Sequence, residues 1–331
     1  MNKSLGIYNL IDSEGINKSI RTVVDSGINF NTYVSPKGMK ELRESIADFL
    51  KSIWDYNVNY KDIIITSGSQ QSLNLLAYAL FNEGNTILVE QPTYFGALDV
   101  FKKININLLG CDLGEDGFDL QELEDILAMY KPRAIYVTPT FNNPTGYAWS
   151  NEVRSKFLDI INKYDVLVIE DDPYSLINYT DYKYRTLYEM NNGKNIIYLG
   201  TFSKLISPSI NVGYIICSDG FMNVLYSYKN SFDLCTSAFL QYAVLDYLNN
   251  NDIKKLIKEK IKIYKELLDE SVKQVENDHA VISYTRCKGG LFYKVTFEDT
   301  VNSEYEDLSK YYINGQHNNE TRINICSLLY K

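Results

Sequence analysis

Seven short runs of β-branched and other apolar residues constrain the fold of this chain more than any other feature. They lie between about residues 62 and 217 and read DIIITS, NTILVEQ, ININLLG, RAIYVTPT, DVLVIEDD, NIIYLGT and VGYIICS. Apolar strands that alternate with amphipathic helices are typical of a parallel sheet buried on both faces. The sequence therefore predicts an α/β fold, with a mostly parallel seven-stranded sheet covered by helices.

The rest of the chain predicts a smaller α+β domain. A helical pattern over about 253–276 precedes AVISYTRC, a Gly-Gly turn, LFYKVTFED and ETRINICSLL, which alternate like antiparallel strands. A chain of 331 residues is long enough for two such units. We expect residues 46–235 to form the large domain and residues 236–331 the small one, with residues 1–45 packing with the small domain.

Composition narrows the classes of function. A formal net charge of −9 argues against a nucleic-acid partner, which requires a basic field. The five widely spaced cysteines form no C-x-x-C pair and indicate reduced thiols in a cytoplasmic protein. Two histidines without a ligand cluster predict no metal site. We expect no membrane span and no leader, because no long apolar run occurs and MNKSLGIYNLIDSEG lacks an apolar core.

Candidate functional residues follow the strands, at the sheet edge where ligands bind in doubly wound folds. Ser69 and Gln70 lie in SGSQQ, a helix start that is either a phosphate cradle or an ordinary N-cap. Tyr94 in QPTYFG can stack on a ring or pack at the rim of the core. Asn143 in NNPTG is a turn residue or a hydrogen-bond donor.

A carboxylate group and a lysine complete the candidate site. DVLVIEDDPYS ends in three carboxylates, which indicate a solvated strand end, a metal cluster or a partner for a protonated ring nitrogen. Lys204 in YLGTFSKLISPSINVGY has no acidic neighbour, so it is an exposed loop lysine or a sheltered, nucleophilic amine. At one sheet edge, these groups together indicate a site for pyridoxal 5'-phosphate, which binds a lysine as a Schiff base.

From NTYVSPKG almost to its C-terminus, the chain resembles the fold-type I pyridoxal-phosphate-dependent aminotransferases of class I/II. Within that group it looks most similar to the branch of 2-aminoadipate (LysN-like) aminotransferases and of the aminotransferase domains of MocR-type regulators. The motifs ITSGSQQSLNLL, EQPTYFGAL, TPTFNNPTG, IEDDPY and GTFSK carry the resemblance. The resemblance implies the pyridoxal-phosphate fold and cofactor.

The resemblance also implies a role for each matched residue. Lys204 would bind the cofactor and transfer the substrate proton, and Asp171 would pair with the pyridine nitrogen. Tyr174 and Asn143 would bond the phenolic oxygen, while Tyr94 would stack on the ring. The phosphate would be held by Ser69, Gln70, Thr201, Ser203 and, across a dimer interface, Tyr33.

The implied activity is transfer of an amino group between an L-amino acid and a 2-oxo acid by a cytoplasmic homodimer. Arg322 in ETRINICS, together with Asn143, would bind the substrate carboxylate. A decarboxylase or lyase that uses the same site, and a regulatory protein with little turnover, remain alternatives. No winged-helix region precedes the matched residues, so we do not expect a complete MocR-type regulator.

Three departures from the family concern binding. The turn after the lysine usually carries a phosphate-binding arginine, as in SKTLAPGLRLGY, where this chain has Asn211. Arg185 is our candidate for a substitute cation. The N-terminal arm is short, and the stretch from Gly290 to Arg322 is shorter than in typical relatives, so we expect changes in substrate binding.

Overall fold

The computed structural model describes residues 13–114, 116–299, 306–315 and 319–330. An eight-stranded sheet lies at its centre, in the spatial order β1-β8-β7-β6-β5-β2-β3-β4. The strands are β1 (Ile63–Thr66), β2 (Thr86–Gln91), β3 (Asn107–Gly114), β4 (Gly117–Phe118), β5 (Ala134–Val137), β6 (Leu167–Asp172), β7 (Ile196–Thr201) and β8 (Gly213–Ile216).

The sheet confirms the predicted fold class. β3, β2, β5, β6 and β7 run parallel to one another, while β8 runs antiparallel to β7 and to β1. Each of the seven apolar runs forms one strand. The additional strand, β4, has two residues and pairs antiparallel with β3, and a strand that short leaves no alternation for a sequence pattern to detect.

Ten helices surround and extend the sheet in the part of the chain that the structure describes. They are α1 (Ser13–Asp25), α2 (Lys40–Ile53), α3 (Gly68–Leu80), α4 (Phe95–Lys103), α5 (Leu120–Tyr130), α6 (Asn151–Tyr164), α7 (Leu187–Met190), α8 (Asp219–Asp233), α9 (Ala238–Asn250) and α10 (Ile253–Glu276). None of these helices is long and apolar enough to cross a bilayer.

The two faces of the sheet pack into separate apolar cores because successive strand residues point in opposite directions. On β6 and β7, Val168 and Tyr198 join the core that contains α2, α5, α6 and α9. Ile169 and Leu199 join the core that contains α3, α4 and α8. We call these the α2 face and the α3 face of the sheet.

A smaller antiparallel sheet confirms the predicted second α+β unit. It consists of β9 (Val281–Tyr284), β10 (Phe292–Phe297) and β11 (Glu320–Asn324), in the order β11-β10-β9. Its apolar side chains pack with those of α10 in a third core. Helix α1 packs against α9, and Ile16 of α1 belongs to the core of the α2 face. The domain limits near residues 45 and 235 stay predictions.

Candidate active site

Two adjacent aspartates at the end of β6 point to opposite faces of the large sheet. Asp172 lies on the α2 face, where it accepts hydrogen bonds from the Tyr198 hydroxyl (2.9 Å) and from the backbone N–H of Ser175 (3.0 Å). Asp171 lies on the α3 face and accepts a 2.7 Å bond from the hydroxyl of Tyr136. Because side chains alternate along a strand, Asp172 is hydrogen-bonded on the α2 face, whereas Asp171 borders the helices of the α3 face.

The carboxylate of Asp171 is strongly perturbed. Burial raises its pKa to about 7, against the lowering effect of the Tyr136 hydrogen bond, and the charge of Asp172 raises it further. Tyr136 bonds Oδ2, and none of the described residues donates to Oδ1. One oxygen of a buried carboxyl is therefore available to a cationic partner, which would restore its charge.

A second buried carboxyl, Glu90 at the end of β2, lies close enough to Asp171 for the two charges to interact. Burial raises its pKa to about 8, and the charge of Asp171 adds to the increase. Its Oε2 accepts from the N–H of Thr138 (2.9 Å) and from Asn142 Nδ2 (3.0 Å), whereas Oε1 has no partner among the described residues. Glu90 is thus mostly protonated at neutral pH.

Lys204 lies in the turn that follows β7. Burial and the nearby charge of Arg322 lower the pKa of its ammonium, and only Cys326 acts in the opposite direction. Lys204 makes no hydrogen bond or ion pair with another described residue, in contrast to Lys260, which donates to the carbonyl of Leu205 beside it. Lys204 is half-buried in the turn, and a lowered pKa favours the neutral, nucleophilic form of its amine.

The N-terminus of α3 forms a polar cradle. Its N-cap residue, Ser67, makes no side-chain cap to the helix, and the Ser67 hydroxyl instead lies 3.4 Å from Thr236 Oγ1. Gly68 has φ +77°, and a Cβ there would lie 2.1 Å from Oδ1 of Asn211. Gly213 also packs closely, since a Cβ there would meet the backbone carbon of Gly68 at 2.9 Å and the backbone nitrogen of Ser69 at 3.1 Å. Because no side chain caps this 13-residue helix, its first N–H groups are left for an anion.

Hydroxyls and an ion pair surround this cradle. Thr201 Oγ1 accepts from the N–H of Ser203 at 3.1 Å at the end of β7, which borders the cradle through Gly213 of β8. Behind the cradle, the Ser67 N–H bonds Gln71 Oε1, and Gln71 Nε2 bonds Asp233 Oδ2 at 2.7 Å. Asp233 pairs with Lys229, which is fully buried. The hydrogen bonds of this network hold the loop before α3 in place.

Tyr94 joins the cradle to the next helix. Its ring folds over Gly96, where a Cβ would lie 2.6 Å from the ring, and its hydroxyl lies 3.4 Å from Gln70 Oε1. Gln70 Nε2 in turn donates to the carbonyl of Gly96 at 3.3 Å. Burial and the charge of Asp171 raise the pKa of the Tyr94 phenol, so the ring lies within electrostatic range of that carboxylate.

Three further predicted residues meet at the junction with the small sheet. Nη1 of Arg322, on β11, donates a 3.0 Å hydrogen bond to Asn143 Oδ1. The guanidinium lies over the ring of Phe292 at 4.2 Å, and the ring of Tyr174 packs edge-on against Phe292 at 5.8 Å. Burial raises the pKa of Tyr174, and the positive charge of Arg322 opposes this. Asn143, Tyr174 and Arg322 are all buried.

Two residues considered from the sequence lie apart from this group. The side chain of Tyr33 is 83% exposed and makes no hydrogen bond or ring contact with other described residues. Arg185 pairs with Glu189 on α7 at 3.1 Å, and Arg154 donates to its carbonyl. Arg185 therefore contacts the α2-face layer and not the cradle, so the structure gives no support to it as a substitute phosphate cation.

The side chains fit a phosphorylated pyridine aldehyde. An uncapped helix start with nearby hydroxyls suits the phosphate, Asp171 Oδ1 suits a ring nitrogen, and the unpaired amine of Lys204 suits the aldehyde. No cluster of three or more metal-ligating side chains occurs in the described ranges.

Sequence reasoning missed several residues of this site: Glu90, Tyr136, Phe292 and Glu306. Tyr136 and Glu90 are each the last residue but one of a mostly apolar strand. A polar residue at that place in an apolar run was the sequence signal that could have identified them. Nothing in the sequence indicated Glu306, because Glu306 and its partner Arg322 are 16 residues apart in the chain and only the fold brings them together.

The chain belongs to the class I and II aminotransferase family, whose profile it matches over residues 7–327. It is 31% identical to aromatic-amino-acid aminotransferase 1 of Thermococcus litoralis, over 82% of this chain and 67% of that protein. It is 30% identical to the 2-aminoadipate transaminase of Thermus thermophilus, over 78% of this chain and 65% of that protein. This chain thus spans about two thirds of the length of these relatives.

A transcriptional regulator and a solved aminotransferase structure are also similar to this chain. The HTH-type transcriptional regulator YisV of Bacillus subtilis is 29% identical over 82% of this chain and 56% of its own length. LysN, the α-aminoadipate aminotransferase of Thermus thermophilus solved with N-(5'-phosphopyridoxyl)-L-leucine, superposes with a TM-score of 0.88 and 26% identity over 96% of this chain and 84% of LysN. These likenesses confirm the predicted family and branch, and pyridoxal phosphate as the cofactor that the family implies.

Proposed function

We propose that this chain is a pyridoxal-phosphate-dependent aminotransferase that moves an amino group between an L-amino acid and a 2-oxo acid. One observation carries the proposal: the half-buried amine of Lys204, which has no partner among the described residues, shares a sheet edge with the available oxygen of Asp171 and the uncapped start of α3. A structural role for these groups would have given them partners.

Lys204 is the proposed proton carrier. When bound, pyridoxal phosphate supplies an electrophilic aldehyde and a ring that accepts electrons. Burial is the main cause that lowers the pKa of Lys204 Nζ and so favours its neutral form. A neutral amine is able to take a proton from the substrate α-carbon and to return it to another atom.

Asp171 would keep a proton on the ring nitrogen. A carboxyl with a pKa of about 7 lacks full charge at neutral pH, but an adjacent cation favours its ionised form. The Tyr136 hydrogen bond acts in the same direction, because it stabilises the carboxylate. Tyr94 would cover the ring, and Tyr174 with the Nδ2 of Asn143 would donate to its phenolic oxygen.

The cradle and Arg322 would hold the two ends of the reactants. Backbone N–H groups at the start of α3, with the hydroxyls of Ser69, Thr201 and Ser203, would bind the phosphate, and Gln70 would keep Tyr94 against the cradle. Arg322 would orient the substrate α-carboxylate with Asn143, since guanidinium and carboxylate match geometrically.

The test combines spectroscopy with product analysis. Purified protein reconstituted with pyridoxal phosphate should absorb in the visible range and, with an amino-acid panel plus pyruvate or 2-oxoglutarate, should release the corresponding oxo acid. Carbon dioxide or ammonia is measured in parallel, because their release in place of amino transfer would favour the decarboxylase or lyase. Cofactor binding without any of these products would instead favour a regulatory protein.

A homodimer in which Tyr33 acts in trans is part of the proposal. Tyr33 is largely exposed, and aromatic side chains on α3 and α8 are exposed as well, with Tyr78 and Phe232 in ring contact at 5.6 Å. An exposed apolar patch of this kind suits a second copy of the chain.

Mixing two defective variants tests the trans arrangement. A hybrid of Lys204→Ala and Tyr33→Phe subunits contains one site with Lys204 and, from the other subunit, Tyr33. Activity should therefore recover in the mixture if Tyr33 acts in trans. No recovery in a verified hybrid, or full activity of a monomer in sedimentation, would contradict this arrangement.

The remaining expectations concern the environment of the protein. The described cysteines are all free thiols, which supports a reducing, cytoplasmic location. The negative net charge argues against a nucleic-acid partner. Fractionation of the source cells, with detection of the intact protein, tests the location.

A further inference from the structure

The carboxylate of Glu306 lies where an external carboxylate is expected, on the guanidinium of Arg322. Nη2 of Arg322 is 2.5 Å from Glu306 Oε2. The main chains are joined as well, since the N–H of Arg322 donates to the Glu306 carbonyl at 3.4 Å and the Thr321 hydroxyl donates to the same carbonyl at 2.8 Å. Glu306 is therefore held beside β11 whether or not its side chain stays on Arg322.

The donors of Arg322 are only partly used in this arrangement. Nη1 bonds Asn143 and Nη2 bonds Glu306, whereas the buried Nε has no acceptor among the described residues. A carboxylate that grips a guanidinium with both oxygens satisfies two N–H groups at once. Glu306 accepts from only one N–H-bearing nitrogen of Arg322, Nη2. A carboxylate that reached Nε as well would therefore make one more hydrogen bond than Glu306 does.

Glu306 also has a second cation. Lys310 binds its Oε1, and the Glu306 side chain is 26% exposed. Burial acts to raise the pKa of Glu306, but the charges of Arg322 and Lys310 hold it below the ordinary value, so the group is ionised. When its carboxylate leaves Arg322, Lys310 remains to pair with it, and the partial exposure limits the loss of solvation.

The net charge around Arg322 indicates how many carboxylates a ligand should carry. Arg322, Lys310 and Glu306 together carry a formal charge of +1, which one carboxylate neutralises. A second carboxylate on the same ligand would find no unpaired cation in this group, and like charges repel Glu306.

We propose that Glu306 is a specificity-determining residue, an internal carboxylate that competes for Arg322 and restricts the site to ligands with a single carboxylate. The proposal rests on the proposed function, because it takes Arg322 as the substrate-carboxylate site. Neutralising Glu306 raises the local charge to +2, which favours carboxylates in general and dicarboxylates most.

Unreactive carboxylates test this without catalysis. Butyrate and succinate, which both have four carbons, are titrated by calorimetry into the protein reconstituted with pyridoxal phosphate. Glu306→Gln should bind butyrate roughly tenfold more tightly than the wild type, and should tighten succinate more than butyrate. The matched control is Asp307→Asn, the same charge change one residue away, where the carboxylate caps the N–H of Ser309 and leaves Arg322 untouched.

For a second variant we expect the opposite change in carboxylate affinity. Lys310→Met removes the alternative partner of Glu306, so Glu306 should stay on Arg322 and both ligands should bind more weakly. Glu306→Gln affinities equal to or weaker than those of the wild type, or matched by Asp307→Asn, would overturn the proposal. Binding that survives Arg322→Gln would do so too, since Arg322 would then not be the carboxylate site.

The two proposals fail in different ways. Transamination by the wild type with no effect of Glu306→Gln on carboxylate affinity refutes the role of Glu306 alone. The expected carboxylate affinities without any amino transfer refute the proposed function and leave the competition between carboxylates standing.

Discussion

The hydroxyl of Tyr136, on β5, donates a 2.7 Å hydrogen bond to Oδ2 of Asp171 at the end of the neighbouring strand β6. The bond fixes which oxygen of the carboxylate faces the protein and which remains available. It also opposes burial, which raises the pKa of Asp171 to about 7. Tyr136 is thus a positioning residue for Asp171.

Tyr136→Phe should raise the pKa of Asp171, because it removes a hydrogen bond that stabilises the charged form. A bond to a charged group corresponds to about one pKa unit or more. The acidic limb of the single-turnover rate should move to higher pH by about one unit, as followed by absorbance in stopped flow. Tyr198→Phe, which deletes the equivalent bond to Asp172, is the control and should leave this limb in place.

Asp171→Ala and Asp172→Ala should have different effects. Loss of Asp171 removes the proposed partner of the ring nitrogen and should slow α-proton removal by about 10²-fold or more. Loss of Asp172 removes the acceptor of Tyr198 and Ser175 and should lower the free energy of unfolding by about 1–3 kcal/mol. Single-turnover rates and thermal melts separate the two, and equal rate losses would leave the roles unassigned.

Lys204→Ala should abolish covalent attachment of pyridoxal phosphate. Borohydride reduction of the wild type should place the label on the peptide that contains Lys204, as identified by mass spectrometry. Lys194→Ala is the control, because Lys194 is exposed and lies before β7. Label on another lysine, or transamination by Lys204→Ala, would refute the assignment.

Glu90→Gln should make the apo-protein less sensitive to alkaline pH. The folded state holds the Glu90 proton up to a pKa of about 8, whereas the unfolded chain loses it near 4.5, so folding stability falls as pH rises through this interval. The slope for one proton is about 1.4 kcal/mol per pH unit. Melting temperatures from pH 6 to 9 should fall less in Glu90→Gln than in the wild type or in the exposed control Glu259→Gln.

Asn211→Arg should tighten cofactor binding by about tenfold. A hydrogen bond from an arginine to the phosphate would gain more than this, but residue 211 has φ 46°, a conformation that asparagine tolerates better than arginine. Titration of apo-protein with pyridoxal phosphate, followed by calorimetry, gives both affinities. Arg185→Gln should leave the wild-type affinity unchanged, since Arg185 pairs with Glu189. Equal affinities of wild type and Asn211→Arg would mean that the cradle already binds the phosphate fully.

Local pattern determined the large sheet and the list of candidate residues. Seven apolar runs became seven strands, since a strand buried on both faces needs a continuous apolar sequence. Lys204 and Asp171 became candidates because each lies at or just after the end of such a run, and strand ends in parallel sheets meet at one edge. The arginine expected at position 211 was recognisable as missing for the same reason, by its place in a motif.

Only the tertiary structure decided how these residues are partnered. DD in the sequence does not distinguish two carboxylates, but the alternation of β6 and the layers packed on each face place Asp171 beside Tyr136 and Asp172 beside Tyr198. Arg322 was predicted to bind the substrate carboxylate, whereas its pairing with Glu306 depends on how the chain returns to β11. Periodicity records which residues are buried, whereas a pairing between distant polar atoms is set by packing, which no local pattern encodes.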